Sequence, residues 1–136
     1  MKIEYKIETE FPPPLLLAAA ELYRIAEWVA PDDDCAFLKA ALENSCAVCV
    51  ACCDGKVCGM GRALGDHVSD AYIQDVVVAP EFRRRGIGGV IVKTLAVELR
   101  RQGVEWIGLV GAPGTENFYR SLGLTAPDGY TFYQVE

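Results

Sequence analysis

The chain has a single histidine in 136 residues, and basic residues are outnumbered, with 13 Lys and Arg against 19 Asp and Glu. The histidine, His67, is the natural titrating group near neutral pH, but it sits in a polar turn, a setting that favours an exposed histidine without a role over a general base. The net charge of -6 disfavours a general role on the phosphate backbone of nucleic acids; an acidic protein attracts small cations instead. No long apolar run is present in the amino-terminal third. Leu15 to Ala20 stops at Glu21 after six residues, too few to cross a bilayer, so no membrane partner is expected. The amino end, MKIEYKIETE, alternates charged and apolar residues and has neither a basic n-region nor an apolar h-region, which leads us to expect a cytoplasmic chain with reduced thiols. Internal repeats, linkers and low-complexity stretches are also missing. One domain over residues 1–136 is therefore expected, large enough to bury a core without disulfide or metal staples.

Cysteine, by contrast, is concentrated: Ser45 to Cys58 holds five of the six. Cys46, Cys49 and Cys52 imitate the start of a ferredoxin run, but Lys56 stands where the fourth ligand belongs and no proline follows. Asp54-Gly55 reads as a tight hairpin turn between two strands. Alternation then puts Cys46, Val48, Val50 and Cys52 on one face and Ala47, Cys49, Ala51 and Cys53 on the other. Cysteine here acts as a small buried hydrophobe, with no metal expected.

The remaining elements follow from periodicity. Ile3, Tyr5 and Ile7 alternate as a strand. Apolar positions from Pro14 to Val29 recur at helical spacing, and Asp32, Asp33 and Asp34 are placed to cap a second helix carrying Phe37, Leu38, Ala41 and Leu42. Ala71 to Val78 is a β-branched run fit for a central strand. A helix with the stripe Ile91, Val92, Leu95, Ala96 and Leu99 ends at Gly103. Val104 to Val110 is a further strand, Thr115 caps a short helix with Phe118, Tyr119 and Leu122, and Tyr130 to Val135 is a last strand. The order βααβββαβαβ is that of one mixed α/β domain.

The stretch richest in chemistry is Val76 to Gly89, VVVAPEFRRRGIGG. A strand enters a basic, glycine-rich turn and leaves as a helix, so unpaired N–H groups and the positive end of the helix dipole converge where a phosphate binds. Gly86, Gly88 and Gly89 let backbone approach closely, while Arg83, Arg84 and Arg85 add positive charge. No Gly-Lys-Ser/Thr follows, and Ile91 stands where a dinucleotide fingerprint needs glycine, so neither an NTPase loop nor a dinucleotide site is indicated.

Arg83-x-x-Gly86-x-Gly88, after an apolar strand and Pro80, resembles the acetyl-CoA signature of the GNAT family of N-acetyltransferases. Asn117-Phe-Tyr-Arg-Ser-Leu-Gly-Leu124 is similar to that family's later Phe-Tyr segment. The resemblance implies a mixed sheet splayed between its fourth and fifth strands, with acetyl-CoA as cosubstrate in the gap. It implies that the backbone of Arg84, Arg85, Gly86, Ile87, Gly88 and Gly89, preceded by Arg83 of the signature, surrounds the pyrophosphate. It further implies that Val76, Val77 and Val78 pair with the pantetheine arm as an added strand does, and that a strand N–H near Val76 polarises the acetyl carbonyl. Tyr119 is then the general acid, since a phenol of ordinary pKa near 10 can protonate a departing thiolate.

The expected base is Asp75, a carboxylate in an otherwise apolar strand, where it must be paired or functional, binding the acceptor's ammonium or taking its proton through water. The segment Ile73-Gln-Asp-Val-Val-Val78 is also similar to a strand of glucosamine-6-phosphate N-acetyltransferases, which places Asp75 near the acceptor amine. A salt-bridged Asp75 at a bulge is the competing reading. One departure stands out: family members carry an asparagine several residues before the Phe-Tyr pair, whereas this chain has Gly111-Ala-Pro-Gly-Thr-Glu116. The expected acceptor is a small cationic amine, with an amino sugar, a protein amine, or a non-catalytic acyl-CoA sensor as alternatives. The family often forms homodimers.

Overall fold

Asp54 and Gly55 both adopt positive φ, 50° and 81°, the conformation that a two-residue hairpin turn demands because it matches the twist of its flanking strands. A computed structural model describes residues 2–136, and in it this turn joins β2 (Ala47–Cys53) to β3 (Lys56–Gly65). β1 (Ile3–Ile7) lies outside β2, β4 (Asp70–Val78) follows β3, and β5 (Trp106–Leu109) completes a five-stranded sheet in the order β1-β2-β3-β4-β5. Neighbours are antiparallel except β4 and β5, which are parallel. The mixed sheet expected from the sequence is thus present.

Two apolar layers enclose the sheet. Against one face lies α3 (Ile87–Arg101), whose Ile91, Leu95 and Leu99 are each 0% exposed and pack on Cys49, Ala51, Ala63, Ala71 and Ile73. Each such side chain contributes roughly 1.5–3 kcal/mol by leaving water. The opposite face is covered by α1 (Pro13–Ile25) and α2 (Leu38–Glu43), with Leu22, Tyr23, Leu38 and Leu42 against Val48, Val50, Met60 and Val77. β3 admits α3 closely because it offers glycine: a Cβ on Gly61 would lie 2.8 Å from Ile91 Cγ2 and 3.2 Å from Leu95 Cδ1.

β4 changes phase midway. Ala71 and Ile73 face α3, yet Val77 faces α1 and α2, although strict alternation would put residues 73 and 77 on one side. The extra residue is Asp75, at φ 55°, where the β3–β4 register shifts between Met60 and Arg62. This is a β-bulge. Aspartate tolerates the left-handed region better than most residues.

β4 and β5 pair only from Asp70↔Trp106 to Ile73↔Leu109. Beyond that, Gln74 to Val78 have no neighbour on that edge, and the sheet splays between its fourth and fifth strands.

Three expectations need correction. Tyr130 to Val135 forms no strand; Tyr130, Phe132, Tyr133 and Val135 are 80%, 66%, 81% and 94% exposed. Alternation marks two faces but supplies no partner for backbone N–H and C=O groups, and β5 pairs only with β4. The acidic triplet does not cap α2: Asp33 accepts from Cys35 N and Asp34 from Ala36 N, turning the chain ahead of the helix, whose N-cap is Phe37. Cys46 packs with Cys49 on the α3 side, because it precedes the first residue of β2. The other seven residues of that run face as the alternation predicts. All six cysteines are free thiols, and no group of three or more His, Cys, Asp or Glu among the described residues is placed to hold a metal. Among those residues no helix is long and apolar enough to cross a membrane.

Candidate active site

The chain leaves β4 at Val78, makes a 3-10 turn at Pro80–Phe82 and enters α3 through Arg83 to Gly86. Arg84 (φ 63°) and Gly86 (φ 77°) are both left-handed, and Gly86 is the N-cap. No side chain caps α3, so the N–H groups of its first turn stay available to an anionic ligand. Arg83 Nε donates to Val78 O at 3.1 Å, and Arg85 donates to Glu81 O at 3.4 Å with its guanidinium 5.7 Å from the Phe82 ring centroid. Two of the three arginines therefore shape the loop as well as charge it. Ile87 is different, since its side chain is 2% exposed and belongs to the core.

The glycines divide by role. Around Gly86 there is open space, and its need is conformational, a positive φ. At Gly88 a Cβ would stand 3.3 Å from Phe118 Cζ, and at Gly89 one would stand 2.8 Å from Leu122 Cδ2. Their missing side chains make room for α4 (Glu116–Ser121) and the residue after it, and so dock the Phe-Tyr helix onto the loop. The sequence pointed to ligand approach at these two positions; packing against α4 is what the structure shows.

Tyr119 is thereby held beside the loop, stacked edge-on against Phe118 at 4.9 Å and passing over Gly111, where a Cβ would meet its ring at 3.3 Å. Burial raises its phenol pKa above the ordinary value. No hydrogen bond among the described residues involves its hydroxyl, which is not enclosed either. An accessible, protonated and unengaged O–H is the requirement for a proton donor.

Asp75 lies on the α1 side of the splay point. Its Oδ2 accepts from Tyr23 Oη at 2.7 Å and from Arg62 Nε at 2.8 Å. Arg62 also donates to Ser45 Oγ and Ala41 O, tying β3 to the end of α2. Burial first, and then the Asp75 carboxylate, push the Tyr23 phenol far up, so Tyr23 is the donor and Asp75 the acceptor. Asp75 Oδ1 has no partner among the described residues and is not enclosed. The structure shows the competing reading of Asp75, a carboxylate salt-bridged at a bulge, and leaves one of its oxygens without a partner among the described residues. Tyr23 and Arg62 escaped the sequence reading, although Arg62 gave the same signal as Asp75, a charge inside an apolar strand.

Val76 and Val78 turn their side chains toward α3, Val77 turns toward α1, and the backbone edge of all three toward β5 is unpaired. His67 is exposed, with Nδ1 3.2 Å from Gln102 Oε1, in the loop ahead of β4. That is the opposite end of the strand from the phosphate-type loop. Asp66 organises the His67 loop by accepting from Val68 N, Ser69 N and Ser69 Oγ.

Residues 6–124 match the sequence model of the Acetyltransferase (GNAT) family. The chain belongs to this family. The GNAT fold extends over the whole described chain: a GNAT family protein of Streptococcus pneumoniae superposes with a TM-score of 0.79 at 25% identity, covering 99% of this chain and 98% of that one. An aminoglycoside acetyltransferase from an uncultured soil sample, solved with sisomicin, gives 0.79 at 20% identity over 98% of this chain and 97% of its own. Among curated relatives, the uncharacterized N-acetyltransferase ycf52 of Pyropia yezoensis is 34% identical over 97 residues, 68% of this chain and 56% of that protein. The chloroplastic serotonin N-acetyltransferase 2 of Oryza sativa subsp. japonica is 38% identical over 84 residues, 59% of this chain and 42% of that protein. This chain thus spans about half the length of the curated relatives it matches.

Proposed function

We propose that this GNAT chain, as a single domain over residues 1–136, transfers acetyl from acetyl-CoA to the primary amine of a small cationic acceptor by direct attack. The observation that carries the reading is the docking of the helix that bears Tyr119, through Phe118 and Leu122, against a glycine-rich helix N-terminus suited to a pyrophosphate at the mouth of a splayed sheet. Acetyl-CoA supplies the acetyl group as a thioester. Its pyrophosphate fits the N–H groups from Arg84 to Gly89 together with the guanidinium charge of Arg83 to Arg85, and its amide-rich arm fits the open edge of Val76 to Val78. The amine nitrogen bonds to the acetyl carbon as the carbon–sulfur bond breaks. Tyr119 gives its proton to the departing thiolate, and the proton of the amine passes to Asp75 Oδ1 directly or through water.

Support for a small amino acceptor comes from the names of relatives, serotonin N-acetyltransferase in one case and aminoglycoside acetyltransferase in the other. The net charge of -6 favours a cation. Tyr119→Phe tests the reading: kcat for thiol release should fall by about 10²–10⁴-fold, the range for removing a general acid, with acetyl-CoA affinity changed little. Unchanged kcat would remove Tyr119 from the mechanism. Tight acetyl-CoA binding with no amine-dependent thiol release would make the protein a sensor.

A further inference from the structure

We infer that the acceptor is an arylalkylamine, its ring resting on the Tyr72–Trp106 pair and its ammonium meeting Asp75 Oδ1. The inference rests on the acetyltransferase reading and narrows its substrate class.

The observation behind it is an aromatic platform on the same face of the sheet as Asp75. Ala71 and Ile73 point at α3, so Tyr72 and Gln74 point to the opposite face, where Asp75 meets Tyr23 of α1. Register pairs place Leu64 beside Tyr72 and Arg62 beside Gln74 on that face. α1 and α2 cover the face over β2, β3 and Val77 but leave its β4–β5 corner open, with Tyr72 50% and Trp106 48% exposed.

These two aromatic rings pack on each other despite their exposure. Their centroids are 5.1 Å apart at an interplanar angle of 62°, an edge-to-face pair. The Trp106 indole lies along β5 over Gly108, toward the splay, in space that any β-carbon at 108 would take. Two rings packed edge to face and half open to water offer a flat aromatic group a surface to stack on.

Spacing and charge then choose the ligand. Tyr72 and Asp75 are three residues apart, so about 10 Å of strand separates them, shortened by the bulge. A flat ring with a short aminoalkyl arm spans that interval. At its far end Asp75 has one oxygen saturated by Tyr23 and Arg62 and the other open, an acceptor aimed by two donors. The ammonium therefore arrives at the point where β4 and β5 part, beside the free edge of Val76.

Thiol release by the full chain at fixed acetyl-CoA, with tryptamine, phenethylamine, hexylamine and spermidine as acceptors, tests this. The two arylalkylamines should show a kcat/KM at least about tenfold above hexylamine and spermidine, equivalent to about 1.4 kcal/mol. Trp106→Ala and Tyr72→Ala should each raise the KM for tryptamine about tenfold while leaving the KM for acetyl-CoA and for hexylamine unchanged. Gly108→Ala, which keeps both aromatic rings and displaces the indole, should do the same and covers the case in which an aromatic deletion weakens the fold. Equal or better use of hexylamine or spermidine, or an unmoved tryptamine KM in all three variants, overturns the arylalkylamine inference and leaves the acetyltransferase reading standing. Absence of thiol release with every amine overturns both.

Discussion

Replacing Gly61 by alanine adds one methyl group where three side chains already meet. Its carbon would lie 2.8 Å from Ile91 Cγ2, 3.1 Å from Val76 Cγ2 and 3.2 Å from Leu95 Cδ1, against the 3.5–4.0 Å of a relaxed carbon contact. Ile91 and Leu95 are each 0% exposed and have nowhere to turn, so α3 must move away from β3. Overpacking of this kind costs about 1–3 kcal/mol, and stiffening of the unfolded chain returns about 0.4–1 kcal/mol. A net loss of about 1–2 kcal/mol, at an unfolding entropy of about 2.1 cal/mol/K per residue, lowers Tm by roughly 3–7 °C. Because the loop from Arg83 to Gly89 rides on the first turn of α3, acetyl-CoA affinity should weaken in the same variant. Differential scanning calorimetry of Gly61→Ala, Ile91→Ala and the double variant checks the origin of the loss: the double variant should be less destabilised than the two single losses combined. An unchanged or higher Tm for Gly61→Ala would refute the close approach of α3 to β3.

Two further outcomes follow from titrating groups outside the site. Asp66 is held below the ordinary carboxylate range, chiefly by the Ser69 hydroxyl and N–H, so its contribution to stability is complete above its unfolded pKa near 4 and fades as pH falls through the lower folded value; the Tm gap between the native chain and Asp66→Ala should be full at pH 7 and shrink below pH 4, and an equal gap at pH 7 and 3 contradicts the assignment. Burial pushes the Cys49 thiol up to about 12, and every cysteine but Cys52 is buried, so iodoacetamide at pH 8 should label the native chain at no site other than Cys52 and all six after denaturation; rapid native labelling of Cys49 would show that β2 is open to solvent.

What could be read in the sequence was local. Asp54-Gly55 named its turn because few residue pairs accept two positive φ angles, and VVVAPEFRRRGIGG named its loop because strand, arginines, glycines and helix are contiguous. Asp75 stood out as a charge among valines, but its partners lie 13 and 52 residues away in β3 and α1, beyond the reach of any spacing rule. Alternation at Tyr130 to Val135 described two faces of a strand and was silent on whether a neighbouring edge would receive it. Gly88 and Gly89 were legible as necessary, yet the side chains that require them, Phe118 and Leu122, come from α4. The Tyr72–Trp106 pair joins residues 34 apart and needed the parallel register of β4 and β5 to be seen.

The bulge at Asp75 also makes the length of β4 a matter of counting. One strand feeds two cores, and the extra residue sends Val76 and Val78 to α3 and Val77 to α1. Deleting a single residue between Ile73 and Val76 would restore strict alternation with each of those valines still on its present side, whereas flattening the bulge at constant length would deliver each of them to the wrong core. Exchange at position 75 itself, for a residue that also accepts a positive φ, would leave that parity intact. The extra residue is thus surplus to the packing of β4, and what it adds is the carboxylate that Tyr23 and Arg62 hold.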